Sequence, residues 1–134
     1  MKNIITHAII PLLFAALFLS SCKKEKTSTP SNTTSNSFAG KWNNYETSSV
    51  NGPATYPVTI EAPNAATILI NSLYGFQSKV GGTVVGSTFT IPSQVVDGNS
   101  ISGSGTLANP AQINMIYYID TGAYIDSVSA VLTK

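Results

Sequence analysis

Apolar and polar residues alternate in short runs through most of this chain, from Phe38 to Lys134. The runs recur at intervals of about ten residues, and Gly, Pro, Asn and Asp separate them. Alternation with a period of two indicates half-buried β-strands, and no stretch shows the 3.6-residue period of an amphipathic helix. The pattern predicts strands over residues 39–48, 55–62, 66–73, 77–85, 87–92, 99–107, 111–120 and 124–133.

The residues between these runs predict how the strands connect. Asn51-Gly52 and Asp97-Gly98 suit turns that need positive φ, and Asp120-Thr121-Gly122 marks the last hairpin. Connections this short favour antiparallel pairing between consecutive strands, and a meander of about eight strands loses its exposed edges when it closes. The predicted fold class is therefore all-β: an antiparallel meander of about eight short strands forming a small barrel or barrel-like sheet.

The first 21 residues have a different pattern, which is typical of a secretory signal. Lys2 precedes an apolar run from Ile4 to Leu19, which is short for a membrane span of about 20 residues and is interrupted by Pro11. The run ends in Leu19-Ser20-Ser21-Cys22, which resembles the lipobox of bacterial lipoproteins. That resemblance implies cleavage after residue 21 and acylation of Cys22, and more than one acyl chain gives a stable membrane anchor.

Residues 22–37 are rich in Lys, Thr, Ser and Asn, and we expect them to form a disordered tether. The folded domain is then predicted over residues 38–134. Lys23 directly follows the cysteine, where an aspartate retains some lipoproteins in the inner membrane. We therefore expect the protein to be anchored in the outer membrane, facing the periplasm or the cell surface.

Composition excludes several classes of function. The sequence contains no arginine, and three lysines beyond the tether cannot form the cationic surface that nucleic acids require. His7, the one histidine, leaves with the signal peptide, and Cys22 is the one cysteine. Without imidazoles or free thiols, transition-metal sites and the usual nucleophilic catalysis are not expected. We predict no cofactor, no metal, no nucleic-acid partner and no enzymatic activity.

Two motifs that could suggest chemistry are better explained by structure. Residues 119–123, Ile-Asp-Thr-Gly-Ala, copy the active-site run of aspartic proteases, but only twelve residues (134 minus 122) follow Gly122, too few for the rest of that architecture. We expect a hairpin turn in which Asp120 accepts backbone N–H bonds. Gly103 and Gly105 within a strand predict a bulge or a close backbone approach.

The start of the first strand carries a family resemblance. Phe38-Ala39-Gly40-Lys41-Trp42 contains Gly-x-Trp, which resembles the signature of the calycin barrels, the lipocalins and avidins. The resemblance implies that Gly40 lets the entering chain turn and that Trp42 packs across the closed end of a barrel. A lipocalin places an arginine over this tryptophan; here we expect the indole N–H to bond a backbone carbonyl or water. In general design the chain looks like the small lipocalin-like lipoproteins of Gram-negative bacteria.

Binding is the function that these observations leave. Residues 73–76, Leu-Tyr-Gly-Phe, form an apolar connection where turns are usually polar, so Tyr74 and Phe76 are candidates for ligand or partner contact; capping the core is the equal alternative. We expect a lipid-anchored, non-catalytic module that binds a small apolar ligand or another envelope component. The alternatives are a structural or adhesive lipoprotein with a filled barrel, and a glycosidase that uses two of the carboxylates, most of which we expect on solvated faces.

Overall fold

The protein is an all-β domain in the computed structural model, which describes residues 35–134. The predicted signal peptide, Cys22 and residues 22–34 of the predicted tether lie outside the described residues. The strands are β1 (Gly40–Ser48), β2 (Gly52–Asn64), β3 (Thr67–Asn71), β4 (Val80–Val85), β5 (Thr88–Val96), β6 (Asn99–Asn109), β7 (Gln112–Asp120) and β8 (Ile125–Thr133). Two 3-10 turns, Ser35–Ser37 and Leu73–Gly75, accompany them.

The eight strands form a closed barrel in sequence order, and each strand pairs antiparallel with the next. The barrel closes where β1 pairs with β8, from Asn43 opposite Thr133 to Ser48 opposite Val128. The predicted meander and its closure are confirmed. Closure gives each of these eight strands two neighbours, so none of the eight has a free edge that could template pairing with another chain.

Residues 35–37, which precede the predicted domain boundary, form part of the described structure. Ser35 is buried, its hydroxyl donates to the carbonyl of Asn64, and its amide donates to the carbonyl of Ala65 at 3.3 Å. Residues 35–37, which the sequence assigned to the tether, thus pack against the end of β2. No hydrophobic side chain marks this contact, so the alternation pattern could not have located it.

Strand β5 runs further than the sequence predicted. The prediction ended at Pro92, but β5 continues to Val96 because its ladder with β6 shifts register between Ile91 and Gln94. The shift accommodates the missing N–H of proline. On the other side of β5, the Gln94 amide accepts from Gly81 N at 3.0 Å and donates to Gly81 O at 2.8 Å, so a side chain extends the seam to β4.

Trp42 plugs one end of the barrel. Its side chain is 1% exposed and its indole N–H donates to the carbonyl of Phe38 at 2.8 Å, as expected. Lys134 Nζ lies 4.4 Å from the centroid of the indole ring and donates to Ala39 O at 3.2 Å. Lys134, which follows β8, therefore makes a cation–π contact with Trp42. It occupies the place over the tryptophan where a lipocalin has an arginine. Gly40 has φ +127, which suits glycine at the start of β1.

Two glycines of β6 make room for aromatic rings in the core. A Cβ on Gly105 would lie 2.3 Å from the ring of Phe89, and one on Gly103 would lie 2.5 Å from the Cβ of Tyr117. Phe89 in turn packs edge-on against Phe38, with ring centroids 5.3 Å apart. The predicted close backbone approach is confirmed at Gly103, where a Cβ would also lie 2.5 Å from Ile116 O, whereas at Gly105 the approaching group is the side chain of Phe89. Both glycines let large side chains fill the apolar part of the barrel.

The interior changes in polarity along its length. The inward-facing residues of β1 are Trp42, Asn44, Glu46 and Ser48, in order from the plugged end. Those of β8 run in the opposite direction, from Leu132 through Ala130 and Val128 to Asp126. Apolar residues therefore fill the end near Trp42, while polar residues gather at the other end, called here the mouth.

Candidate functional site

Two carboxylates are buried inside the mouth of the barrel. Glu46 is 4% exposed and Asp126 is fully buried. The expectation that most of the carboxylates lie on solvated faces holds for Glu61, Asp97 and Asp120, which are exposed, and these two are the exceptions. Strand periodicity could have found them, because Glu46 lies four residues from Trp42 on β1 and Asp126 lies six residues from Leu132 on β8, so each shares the inward face.

One oxygen of Glu46 is held by three donors. Glu46 Oε2 accepts from Asn44 Nδ2 at 2.9 Å, from the Tyr56 hydroxyl at 2.6 Å and from the Tyr117 hydroxyl at 2.5 Å. Within residues 35–134, Glu46 Oε1 accepts no hydrogen bond. The carboxylate is thus fixed in orientation through one oxygen, while the other remains available.

The two tyrosines that donate to Glu46 are held in their neutral form. Burial raises the pKa values of the Tyr56 and Tyr117 hydroxyls above the ordinary value, and the adjacent Glu46 carboxylate raises both further. A phenol that stays protonated keeps its hydrogen for donation to the carboxylate. Tyr117 is fully buried and Tyr118 is 47% exposed, so these adjacent residues face opposite sides of the sheet.

Asp126 is saturated by donors from two neighbouring segments. Oδ2 accepts from the Ser48 hydroxyl at 2.5 Å and the Tyr74 hydroxyl at 2.7 Å, and Oδ1 accepts from the Ser49 hydroxyl at 2.9 Å and Val50 N at 3.2 Å. Burial alone would raise the pKa of Asp126, but these hydrogen bonds outweigh it and hold the pKa below its usual range. Asp126 therefore fixes the turn after β1 and the connection after β3 in place.

The connection that carries Tyr74 is conformationally strained. Ser72 has φ 64 and Tyr74 has φ 55, both in the left-handed region that non-glycine residues rarely adopt. Tyr74 is kept there because its amide donates to the Tyr56 hydroxyl at 2.7 Å and its own hydroxyl donates to Asp126. Burial, reinforced by Asp126, raises the pKa of Tyr74 to about 12.

Some of these groups, Glu46, Ser48, Tyr56 and Tyr74, line a pocket of about 280 Å³ at the mouth of the barrel. Its floor is formed by Glu46 and Ser48, and Asn51, Ala54 and Gly75 form its exposed rim. The tyrosine rings of the pocket belong to Tyr56 and Tyr74.

The structure separates the two candidate contact residues of the sequence. Tyr74 lines the pocket, whereas Phe76 is 8% exposed, belongs to the hydrophobic core and contacts Tyr74 at 5.6 Å between ring centroids. Tyr74 is therefore the candidate that can meet a ligand. Glu46, Ser48 and Tyr56, three further buried or half-buried residues of the pocket, were not among the predicted contacts.

Two larger hollows lie on the outside of the barrel and lack such chemistry. One of about 430 Å³ lies beside Trp42 and Lys134, and one of about 340 Å³ lies over β6, β7 and β8. Neither is lined by a carboxylate. The smaller mouth pocket is the better candidate because its buried polar groups converge on one point.

The other carboxylates of the described region take part in turns and surface contacts. Asp120 accepts from Gly122 N at 2.8 Å in the last hairpin, which confirms the predicted turn. Asp97 accepts from Gln77 N at 2.6 Å, and Glu61 pairs with Lys79 at 2.9 Å on the surface. Over residues 35–134, no three His, Cys, Asp or Glu residues are grouped closely enough to hold a metal ion.

Comparison with known proteins bears on the fold alone. No protein-family model and no curated protein matches the chain. A redesigned β-barrel of known structure is similar at a TM-score of 0.55 and 12% identity, over 75% of this chain and 94% of the designed chain. Within the described residues there is no helix with the length and apolar character needed to cross a bilayer.

Proposed function

We propose that this chain is a lipid-anchored envelope protein and that its barrel is a non-catalytic binding module with the mouth pocket as its ligand site. The observation that carries the proposal is the Glu46 carboxylate. It forms the floor of a pocket, three donors fix its Oε2, and its Oε1 has no partner within residues 35–134. A polar group oriented in this way is what a small-molecule site uses to position its ligand.

The pocket suits a polar ligand better than the apolar one that the sequence led us to expect. An apolar molecule would cover the Glu46 carboxylate without replacing its contact with water, and burying an unpaired charge is costly. The apolar end of the interior is occupied by side chains of the core, among them Trp42, Phe38 and Phe89. A ligand with polar groups that reach Glu46 avoids this cost.

The non-catalytic part of the proposal rests on the different surroundings of the two buried carboxylates. A glycosidase needs two carboxyl groups that flank its substrate. Glu46 lines the pocket, but Asp126 does not, and both oxygens of Asp126 already accept two hydrogen bonds each. Asp126 is therefore committed to holding the loops together.

The anchoring part of the proposal rests on residues outside the described region. Leu19-Ser20-Ser21-Cys22 resembles the lipobox, and the calycin-like Gly40-x-Trp42 start follows a short Ser/Thr/Asn-rich segment, as in small lipocalin-like lipoproteins of the Gram-negative outer membrane. In this arrangement the acyl chains hold the protein at the membrane and the barrel presents its pocket to the periplasm or the cell surface.

Binding at the mouth can be tested with a pair of matched variants. Ala54→Phe would fill the pocket, whereas Thr55→Phe would place the same ring on the outer face of β2. We would screen a library of small polar metabolites against the ¹⁵N-labelled full chain in a neutral detergent. We expect hits that shift the amide resonances of Gly52, Ala54 and Gly75, that are lost in Ala54→Phe and that persist in Thr55→Phe. Absence of such hits, or hits that are insensitive to Ala54→Phe, would refute the proposal and favour a purely structural lipoprotein.

A further inference from the structure

The mouth of the barrel holds negative charge that no lysine of residues 35–134 balances. Glu46 and Asp126 are both buried there, and in the described part of the chain neither forms an ion pair. The three lysines of that part are engaged or distant: Lys79 pairs with Glu61, and Lys41 and Lys134 line the hollow at the plugged end.

The donors around Glu46 are arranged for an ionised carboxylate. An amide N–H and two hydroxyls point at Oε2, and the Tyr56 hydroxyl can donate to it because that hydroxyl accepts from Tyr74 N. An ionised carboxylate is an acceptor only, which matches this set of contacts. All of these donors are neutral, so they stabilise the charge without neutralising it.

Aromatic rings surround the same space. Tyr56 and Tyr74 line the pocket, and Tyr74 packs edge-on against Tyr117, with ring centroids 6.3 Å apart. The faces of tyrosine rings attract cations, most strongly organic ammonium groups that shed their water readily. The combination of tyrosines with one available carboxylate oxygen is the chemistry that recognises such a group.

We infer that the mouth pocket binds a small organic ammonium ion, with Glu46 Oε1 as its charge partner and the rings of Tyr56 and Tyr74 against its substituents. This inference rests on the proposed function, because it names the class of ligand for the same pocket. A bound ammonium ion would balance the charge of Glu46, and its substituents would pack against the tyrosine rings. An inorganic divalent cation fits less well, because it requires several oxygen ligands and Glu46 is the one carboxylate among the pocket residues that the structure describes.

The probe for this inference is choline, compared with its neutral isostere 3,3-dimethylbutan-1-ol. The two molecules have nearly the same shape and differ in one positive charge. We would measure both by calorimetric titration of the full chain in a neutral detergent. We expect choline to bind at least tenfold more tightly than the isostere, which is about 1.4 kcal/mol.

Two variants separate the local charge from the net charge. Glu46→Gln removes the proposed charge partner and keeps the size of the side chain, and Glu61→Gln removes the same charge from the surface. We expect Glu46→Gln to weaken choline binding at least tenfold and Glu61→Gln to leave it within about twofold. The emission of Trp42, at the other end of the barrel, should be unchanged in both variants and reports correct folding.

The outcomes distinguish this inference from the proposed function. Equal binding of choline and the isostere, or unchanged choline binding by a folded Glu46→Gln variant, would overturn the ammonium assignment. If neutral polar compounds shift the pocket amides while choline does not, the pocket is a ligand site but not for cations. If neither class of compound shifts those amides, both statements fail.

Discussion

Asp126→Asn offers the sharpest test of how the mouth of the barrel is held together. Asparagine has the size of aspartate, but one of its two oxygens becomes an NH₂ group, which can only donate. Ser48 Oγ donates to Asp126 Oδ2 and accepts from Val50 N at 3.1 Å and Asn51 N at 2.8 Å, so it cannot also accept from an amide. The structure thus requires acceptors on both sides of residue 126.

The expected cost follows from the contacts that are lost. With the amide oxygen in place of Oδ1, the bonds from Ser49 and Val50 survive, and those from the Ser48 and Tyr74 hydroxyls to Oδ2 are lost. Hydrogen bonds to a charged group are worth about 1.5–3 kcal/mol each, and the Tyr74 hydroxyl can reverse to accept, so we expect a loss of about 2–4 kcal/mol in the free energy of unfolding.

This cost should depend on pH in a defined direction. The folded-state pKa of Asp126 is lowered from its ordinary value of 3.8, so its charge contributes stability that is fully present above about pH 4 and is lost as pH falls through the folded-state value. The difference between the parent protein and Asp126→Asn should therefore be largest near neutral pH and shrink in acid.

The measurement is urea unfolding of the full chain, followed by Trp42 fluorescence at pH 7 and at several values below 4. The control is Asp120→Asn, because Asp120 is exposed and its contact with Gly122 N survives in asparagine; it should change stability by less than about 0.5 kcal/mol. A loss in Asp126→Asn as small as that of the control, or a loss that does not decrease in acid, would refute the account of this carboxylate.

Three further predictions concern the plugged end, the core and the anchor. Trp42→Ala should cost about 3–5 kcal/mol because it empties a buried site, and the parent tryptophan should show blue-shifted emission that iodide quenches poorly; a red, freely quenched emission would contradict its place in the fold. Gly105→Ala should lower the free energy of unfolding by about 1–3 kcal/mol, because its Cβ would collide with Phe89. Gly81→Ala should be nearly neutral in chemical denaturation, because the nearest atom to its Cβ would be Gln94 Oε1 at 3.6 Å; equal costs would count against the packing described. Cys22→Ser should move the protein from the membrane to the soluble fraction, and continued membrane partition would exclude lipid anchoring through this residue.

The strand pattern allowed most of the fold to be predicted because each strand buries one face. On β7, Ile113, Met115, Tyr117 and Ile119 alternate with polar or exposed residues, and all four are buried. What the pattern missed is local geometry without a hydrophobic signal. The continuation of β5 past Pro92 depends on a register shift, and the seam at Gly81 depends on the Gln94 side chain.

The site was harder to predict because its residues contradict the usual rule for strand faces. Glu46 and Asp126 lie on inward faces that Trp42 and Leu132 define, but charged residues are rarely buried, so composition argued for solvent exposure. Their burial depends on hydrogen bonds from tyrosines: Glu46 accepts from Tyr56 on the next strand and from Tyr117, and Asp126 accepts from Tyr74. Tyr117 and Tyr74 are more than 50 residues away in sequence from the carboxylates to which they donate. Such long-range pairing becomes visible only once the barrel is closed.

The most direct test of the mouth pocket is to locate the bound probe by intermolecular nuclear Overhauser effects. The methyl protons of choline would be observed against the ring protons of all tyrosines of the full chain in a neutral detergent. We predict contacts to the rings of Tyr56 and Tyr74, and none to Tyr45 and Tyr118, which are exposed on the outer face at 55% and 47%. Contacts to the outer tyrosines, or none to the two pocket tyrosines under saturating choline, would contradict a cation-binding site at the mouth of this barrel.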